Sequence, residues 1–274
     1  MCARRAQRRV EGRYDTRALG PLDFLPLWAL FAITLALVLL AIDAGFRLGR
    51  RRAVRGALED QSSVAAMANA SLALVAFLLA FTFGFAAARF DTRRIALLDE
   101  VNAIGTTHLR AGTLPEPERA QARALLLEYV EARLEGVRSG ELEAAIRRSE
   151  ELQKRLWSSA AALAERSPNS IVVGLYLQSL NEMIDLHTKR VSEGMRVRIP
   201  AIVWIVLYVV TALAVAEMGY QTGLSGRRRP LSVPAFALAF AAVMYLIADL
   251  DRPQSGFIRV SQKPMIELRD SMRN

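Results

Sequence analysis

The chain alternates between long uncharged apolar runs and stretches in which charges recur every few residues. Four runs stand out, over residues 24–42, 62–88, 199–216 and 231–248. Each is long enough, or nearly so, to cross a hydrocarbon core of about 30 Å at about 1.5 Å of helix rise per residue. None shows the strict alternation of a membrane β-strand, so a β-barrel is excluded. The pattern predicts an all-α, multi-pass membrane protein with transmembrane helices at about 24–44, 63–88, 199–218 and 231–248. A soluble helical insert over 89–198 separates the second span from the third.

The second run shows no break at its end. Phe90, Leu97, Val101, Ile104 and Thr107 or His108 keep helical spacing, which predicts one helix continuing out of the membrane to about Arg110. Gly112, Pro115 and Pro117 then punctuate the chain. Three amphipathic helices follow. Leu126, Val130, Leu134 and Val137 share a face of the first; Leu142, Ile146, Leu152, Leu156 and Leu163 share one of the second. Val172, Leu175, Ser179, Met183, Leu186 and Val191 are expected on the buried face of the third. Gly140 and the Ser167-Pro168-Asn169 turn separate them.

Charge refines this picture. The net charge is +9, and 33 of the 36 basic residues are Arg. Residues 89–198 hold 17 basic and 16 acidic side chains, so the insert is nearly neutral. The excess lies in a basic tail over 1–21 and in short flanks of the spans, including Arg47, Arg50, Arg51, Arg52 and Arg55, and Arg227, Arg228 and Arg229. Such clusters beside apolar spans read as topology signals and not as a nucleic-acid footprint. Loops and tails are both basic, so charge alone leaves the orientation open. The single cysteine, Cys2, rules out an intramolecular disulfide. The first run follows a long polar lead and has no clear cleavage site, so it reads as a retained helix. The Arg- and Ala-rich composition suits a GC-rich bacterial genome.

Three constellations could carry chemistry. Phe77, Phe81 and Phe85 recur at i, i+4 and i+8, with Arg89 about one turn further; Ser62, Ala66, Ala70 and Ala73 put small residues on a similar face. Around the axis of a symmetric oligomer these would form a hydrophobic constriction with a ring of Arg favouring anions. The same stripe would serve equally for lipid contact or helix packing. The second set is polar: Asp99, Glu100 and Asn102 on the continuation of the second helix, and Asn181, Glu182, Asp185 and His187 on the last helix of the insert. If the two helices are neighbours, this set is either an oxygen-rich site for Ca²⁺ or Mg²⁺ or a network of hydrogen bonds and ion pairs fixing register. The third set is Asp249, Asp251 and Arg252 at the end of the last span, expected to anchor the interface or to pair with Arg89, Arg93 or Arg94. No nucleophile elbow, zinc-protease, phosphate-loop or dinucleotide motif occurs, so no enzyme activity and no cofactor are expected.

Several segments resemble a family of bacterial integral membrane proteins of uncharacterised activity that carry a bestrophin-like domain. They are Phe-Gly-Phe-Ala-Ala-Ala-Arg-Phe-Asp (83–91), Asp-Glu-Val-Asn-Ala-Ile-Gly-Thr (99–106), Leu-Pro-Glu-Pro-Glu-Arg (114–119), Leu-Asn-Glu-Met-Ile-Asp-Leu-His (180–187) and the stretch 249–262. The resemblance runs over about 22–268. A second resemblance is to bestrophins, which are pentameric anion channels with Phe-x-x-Gly-Phe in the pore neck; Phe81, Gly84 and Phe85 fit that pattern. It implies a homo-oligomer in the lipid bilayer of a bacterial inner membrane, passing anions along the second helix, with termini and insert in the cytoplasm. Here Asp249 and Asp251 are the only acids between the last span and Glu267, so the acidic calcium-binding stretch of bestrophins has no counterpart.

Overall fold

The computed structural model describes residues 23–55, 61–195, 198–226, 231–252 and 256–273. The basic tail over 1–21 and Arg227, Arg228 and Arg229 lie outside the described residues. Among the described residues there are eight helices and no strand. They are α1 (Leu27–Val54), α2 (Gln61–Ala111), α3 (Glu118–Ser139), α4 (Leu142–Arg166), α5 (Ile171–Met195), α6 (Ala201–Ser225), α7 (Ser232–Asp251) and α8 (Lys263–Arg273). Four of these, α1, α2, α6 and α7, are long and apolar enough to span a membrane. The helix expected to continue to about Arg110 does so: α2 is a single helix of 51 residues. The arginines after residue 46 do not form a loop, as expected from charge, but the last turns of α1. Arg, Leu and Ala all favour helix, the lone Gly49 is tolerated, and neither Pro nor a further Gly intervenes before Gly56.

The chain forms two compact units. The span unit holds α1, residues 61–90 of α2, α6 and α7, together with the segment up to Ile258. Its core includes Val38, Ile42, Val75, Ala86, Trp204, Leu207, Phe240, Met244 and Ile247. The tightest pairing is α1 with α6. Thr34 meets Tyr208 through a 2.7 Å hydroxyl–hydroxyl hydrogen bond. A Cβ on Gly45 would stand under 3.0 Å from the backbone of Ala216, and one on Gly49 under 3.0 Å from that of Tyr220. Reciprocally, Cβ atoms on Gly219 and Gly223 would strike the backbones of Ile42 and Phe46. Residue numbers rise together along both helices, so α1 and α6 run parallel. Two G-x-x-x-G faces let the backbones touch. This is the usual route to affinity in lipid, where burying another leucine gains little.

The insert unit holds residues 91–111 of α2, then α3, α4, α5 and α8. Leu97, Ile104, Leu126, Tyr129, Leu152, Leu156, Tyr176, Leu180 and Met183 form its core. α3 turns into α4 at Gly140, whose φ of +80° suits a residue without a Cβ. On α5 the buried face is Val173, Tyr176, Leu180, Met183 and His187, while Val172 and Leu175 are exposed. Ser179 and Met183 of the expected face are buried; the first turns are rotated from it because they are apolar nearly all round, and periodicity alone does not choose. Val137 on α3 is likewise exposed; Gly136 beside it packs on Ala145. The polar C-terminal tail contains a further helix, α8, which packs on α3 and buries Met265 and Met272 one heptad apart.

Candidate functional site

The phenylalanine stripe sits on the uncovered side of α2. Phe77, Phe81 and Phe85 are exposed by 66%, 67% and 43%. Ser62, Ala66, Ala70, Ala73 and Gly84 are exposed too, and only a thin line of Ala68, Val75, Thr82 and Ala86 is buried in the chain. A Cβ on Gly84 would meet nothing within 4 Å. Arg89 ends the stripe. Its guanidinium carbon lies 4.2 Å from the Phe85 ring centroid, a cation–π contact. Its Nη1 is 4.0 Å from Asp251 Oδ1.

Asp249, Asp251 and Arg252 belong to a charged knot that closes one end of the span unit. Asp249 is buried, and its two carboxylate oxygens accept the backbone N–H groups of Phe257 and Ile258, each at 2.9 Å. Asp251 Oδ1 accepts the N–H of Ile199 at 3.1 Å, capping the approach to α6. Arg198 donates to the Asp251 carbonyl and to Asp23. Arg252 pairs with Asp23 at 3.5 Å and donates to the Leu25 carbonyl. Three carboxylates (Asp23, Asp249, Asp251) thus stand with three guanidiniums (Arg89, Arg198, Arg252). They tie the start of α1, the end of the apolar part of α2, the start of α6 and the end of α7. The expected pairing of Asp251 with Arg89 is present, and these groups close this end of the bundle.

The polar set on α2 and α5 is only partly assembled. Glu100 and His187 come together in the insert core; the others stay at the surface. Asp99 pairs with Lys189 at 3.5 Å, Asn181 donates to Asp185 at 3.2 Å, and Asn102 and Glu182 are exposed. Around Glu100 the structure brings three residues that sequence reading did not single out: Tyr129 and Arg133 from α3 and Arg190 from α5. Tyr129 donates its hydroxyl proton to Glu100 Oε1 at 2.7 Å. Arg133 donates to Oε2 at 3.4 Å with its Nε 3.3 Å from Oε1, and Arg190 also donates to Oε2. Arg190 then reaches Gln262 at 3.1 Å. The Tyr129 proton is spent on Glu100, so the 2.9 Å contact with His187 Nδ1 makes that nitrogen the donor. His187 Nε2 is then a bare acceptor, buried with no hydrogen-bond partner among the described residues.

Burial, then the Glu100 charge, push the Tyr129 hydroxyl well above its ordinary range, so it stays a proton donor. Burial lowers the His187 imidazole from its ordinary value; the Glu100 contact opposes this and Arg133 adds to it. Two guanidiniums therefore neutralise one buried carboxylate beside a neutral histidine. This is an ion network that fixes register, and the neighbours of Glu100 are cations where a metal site would need further oxygen ligands. No group of three or more His, Cys, Asp or Glu side chains fit to hold a metal occurs among the described residues. A signal for the missed residues was present: Glu100, Arg133 and Arg190 each fall on the apolar stripe of their own helix, where a charge requires a partner.

The family model of the Bestrophin-like domain matches residues 26–265. No curated protein matches the chain. Among solved structures, the crystal structure of a membrane protein, a proline-to-alanine variant, superposes with a TM-score of 0.58. It is 13% identical and covers 88% of this chain and 94% of its own, so the likeness is one of fold. Because the family model matches residues 26–265, most of the sequence, the chain belongs to the Bestrophin-like domain family, and it is a multi-pass membrane protein.

Proposed function

We propose that the chain assembles as a homo-oligomer around an anion-permeable pore lined by α2. The observation that carries this reading is the uncovered face of α2. Of its most apolar window only 17% is buried by the chain itself, the smallest share of the four spans. That face presents Phe77, Phe81 and Phe85 in line, small residues before them, and Arg89 after them. Gly84 supports close approach of a second copy: a glycine inside a helix costs about 0.5–1 kcal/mol relative to alanine, and no contact within the chain requires it. Rings of Phe would gate by dewetting, and a guanidinium held at the Phe85 ring favours anions over cations. The family resemblance supports placing the termini and insert in the cytoplasm, in a bacterial inner membrane.

The test is chloride efflux from vesicles loaded with purified protein. The wild type is expected to pass chloride, Phe81→Ala to raise the flux severalfold, and Phe81→Cys to cross-link between copies. Silent vesicles at verified incorporation, with no cross-link, would sink the channel reading. A second reading is a non-conducting scaffold or sensor whose insert binds a protein partner. It is favoured by the exposed apolar group of Ile171, Val172 and Leu175 at the start of α5 and Leu109 on α2. Arg110 donates to the Leu175 carbonyl at 2.7 Å, which holds these two helices together. Under that reading Ile171→Asp abolishes partner capture while vesicles stay silent.

A further inference from the structure

The end of α1 remote from the charged knot carries charges of a different kind. Arg47, Arg50, Arg51, Arg52 and Arg55 fall within its last two turns and its C-cap, all exposed. Asp43 pairs with Arg47 at 2.7 Å; no ion pair or hydrogen bond occupies the side chains of Arg51, Arg52 and Arg55 among the described residues. Among the described residues Glu217, the other acid near this end, makes no ion pair, and its Oε2 has no hydrogen-bond partner. Arg50 lies across the C-cap of α6, where its Nη1 would touch a Cβ on Gly226. The negative end of the α1 dipole, worth about half a charge, does not balance this many guanidiniums. Nor do the connecting residues: over 43–60 and 217–230 eight arginines face four acids.

Depth decides what these arginines meet. Exposed Phe24 and Trp28 mark the boundary at the start of α1, as aromatic residues do at membrane interfaces. About 30 Å of hydrocarbon from Leu27 takes about 20 residues of helix, which ends at Phe46. Arg47, Arg50, Arg51 and Arg52 then occupy the next several ångströms, the layer of lipid phosphates, with Arg55 just beyond. Parallel α6 reaches the same depth at Tyr220.

We propose that this arginine collar is a binding site for the headgroups of anionic phospholipids. Cations at this depth suit it because each one near an anionic surface adds to the attraction for phosphate-bearing headgroups, lysine as well as arginine. The site is independent of whether α2 lines a pore, since it lies on α1 and binds from the bilayer.

The test uses the full chain in neutral detergent, with bound lipid counted by native mass spectrometry. Phosphatidylglycerol, phosphatidylcholine and inorganic phosphate are added in separate arms. The wild type is expected to retain phosphatidylglycerol and neither of the others. The Arg51→Gln/Arg52→Gln/Arg55→Gln variant should hold it at least about tenfold more weakly, from about fivefold per arginine near an anionic surface. The corresponding lysine variant should keep most of the binding, and Arg138→Gln, on the insert surface, should keep all of it. The basic tail over 1–21 is common to every protein compared, so the difference reports the collar. Equal retention by the glutamine variant, equal retention of phosphatidylcholine, or full competition by inorganic phosphate would overturn the proposal. So would loss in the lysine variant, because packing and not charge would then be responsible.

Discussion

In the span unit the closest helix pair meets through glycine, backbone against backbone; in the insert unit helices meet through leucine, methionine and tyrosine side chains. Gly45 and Gly219 sit where a Cβ would strike a carbonyl, whereas Gly174, on the surface of α5, has open space around it. Glycine is thus obligatory along the contact of α1 with α6 and merely tolerated at Gly174. The surroundings explain it. At the edge of the hydrocarbon, where Gly45 and Gly219 sit, an apolar side chain gains little by leaving lipid, so helices associate by close approach. In water each buried leucine contributes through its removed surface, and bulk is an advantage.

The largest effect expected from this contrast is on Gly219. Gly219→Leu drives four carbons into the α1 backbone, and even one surplus methylene in a packed core costs about 1–3 kcal/mol. No monodisperse protein is expected in size-exclusion chromatography; a normal peak would mean that α1 and α6 are not packed in this way. Next is Glu100→Ala, which leaves Arg133 and Arg190 buried without their counterion. Removing one partner of a buried ion pair costs about 3–5 kcal/mol. A large fall in the melting temperature is expected, and a fall of less than a degree or two would show that water reaches the cluster.

A smaller effect is set by pH. His187 is held neutral, with its folded-state value below the ordinary 6.5. An unfolded chain takes up a proton near 6.5 that the folded insert refuses. The contribution of His187 is therefore complete above that pH and is lost as the pH falls from there toward the folded-state value. Melting at about pH 5 is expected below melting at about pH 7.5, with the gap narrowed in His187→Gln. An unchanged gap would assign the effect to other groups. The smallest effect has the opposite sign: Gly174→Ala should stabilise by about 0.5–1 kcal/mol, read as a slight rise in melting temperature. A loss there would mean that the open face of α5 is covered in the assembled protein.

The four spans were legible because uncharged runs of this length have few alternatives, and so was the continuation of α2, whose apolar positions never leave helical register. The face of α5 was not, since Ile171, Val172, Val173 and Leu175 offer several equivalent stripes until Tyr176 and Met183 choose one. The glycine contact was written plainly as Gly45-x-x-x-Gly49 and Gly219-x-x-x-Gly223, yet small residues become informative only when two such faces are paired across 170 residues of chain. The Glu100 network was half legible: the acid and the histidine were in view, the arginines were hidden among the many expected at a surface. The knot was legible in Asp249, Asp251, Arg252 and the pairing with Arg89, and not in Asp23 and Arg198, which lie far away in sequence.

The parallel pairing of α1 and α6 sets a timetable for biogenesis. The glycine face of α1 leaves the ribosome early, and its mate is complete only when Ser225 has been made. At roughly 5–20 residues per second, about 10–30 s separate the two. Throughout that interval α1 stands in the bilayer with a bare backbone groove, a place for an insertion factor to hold or for a stray small-faced helix to occupy.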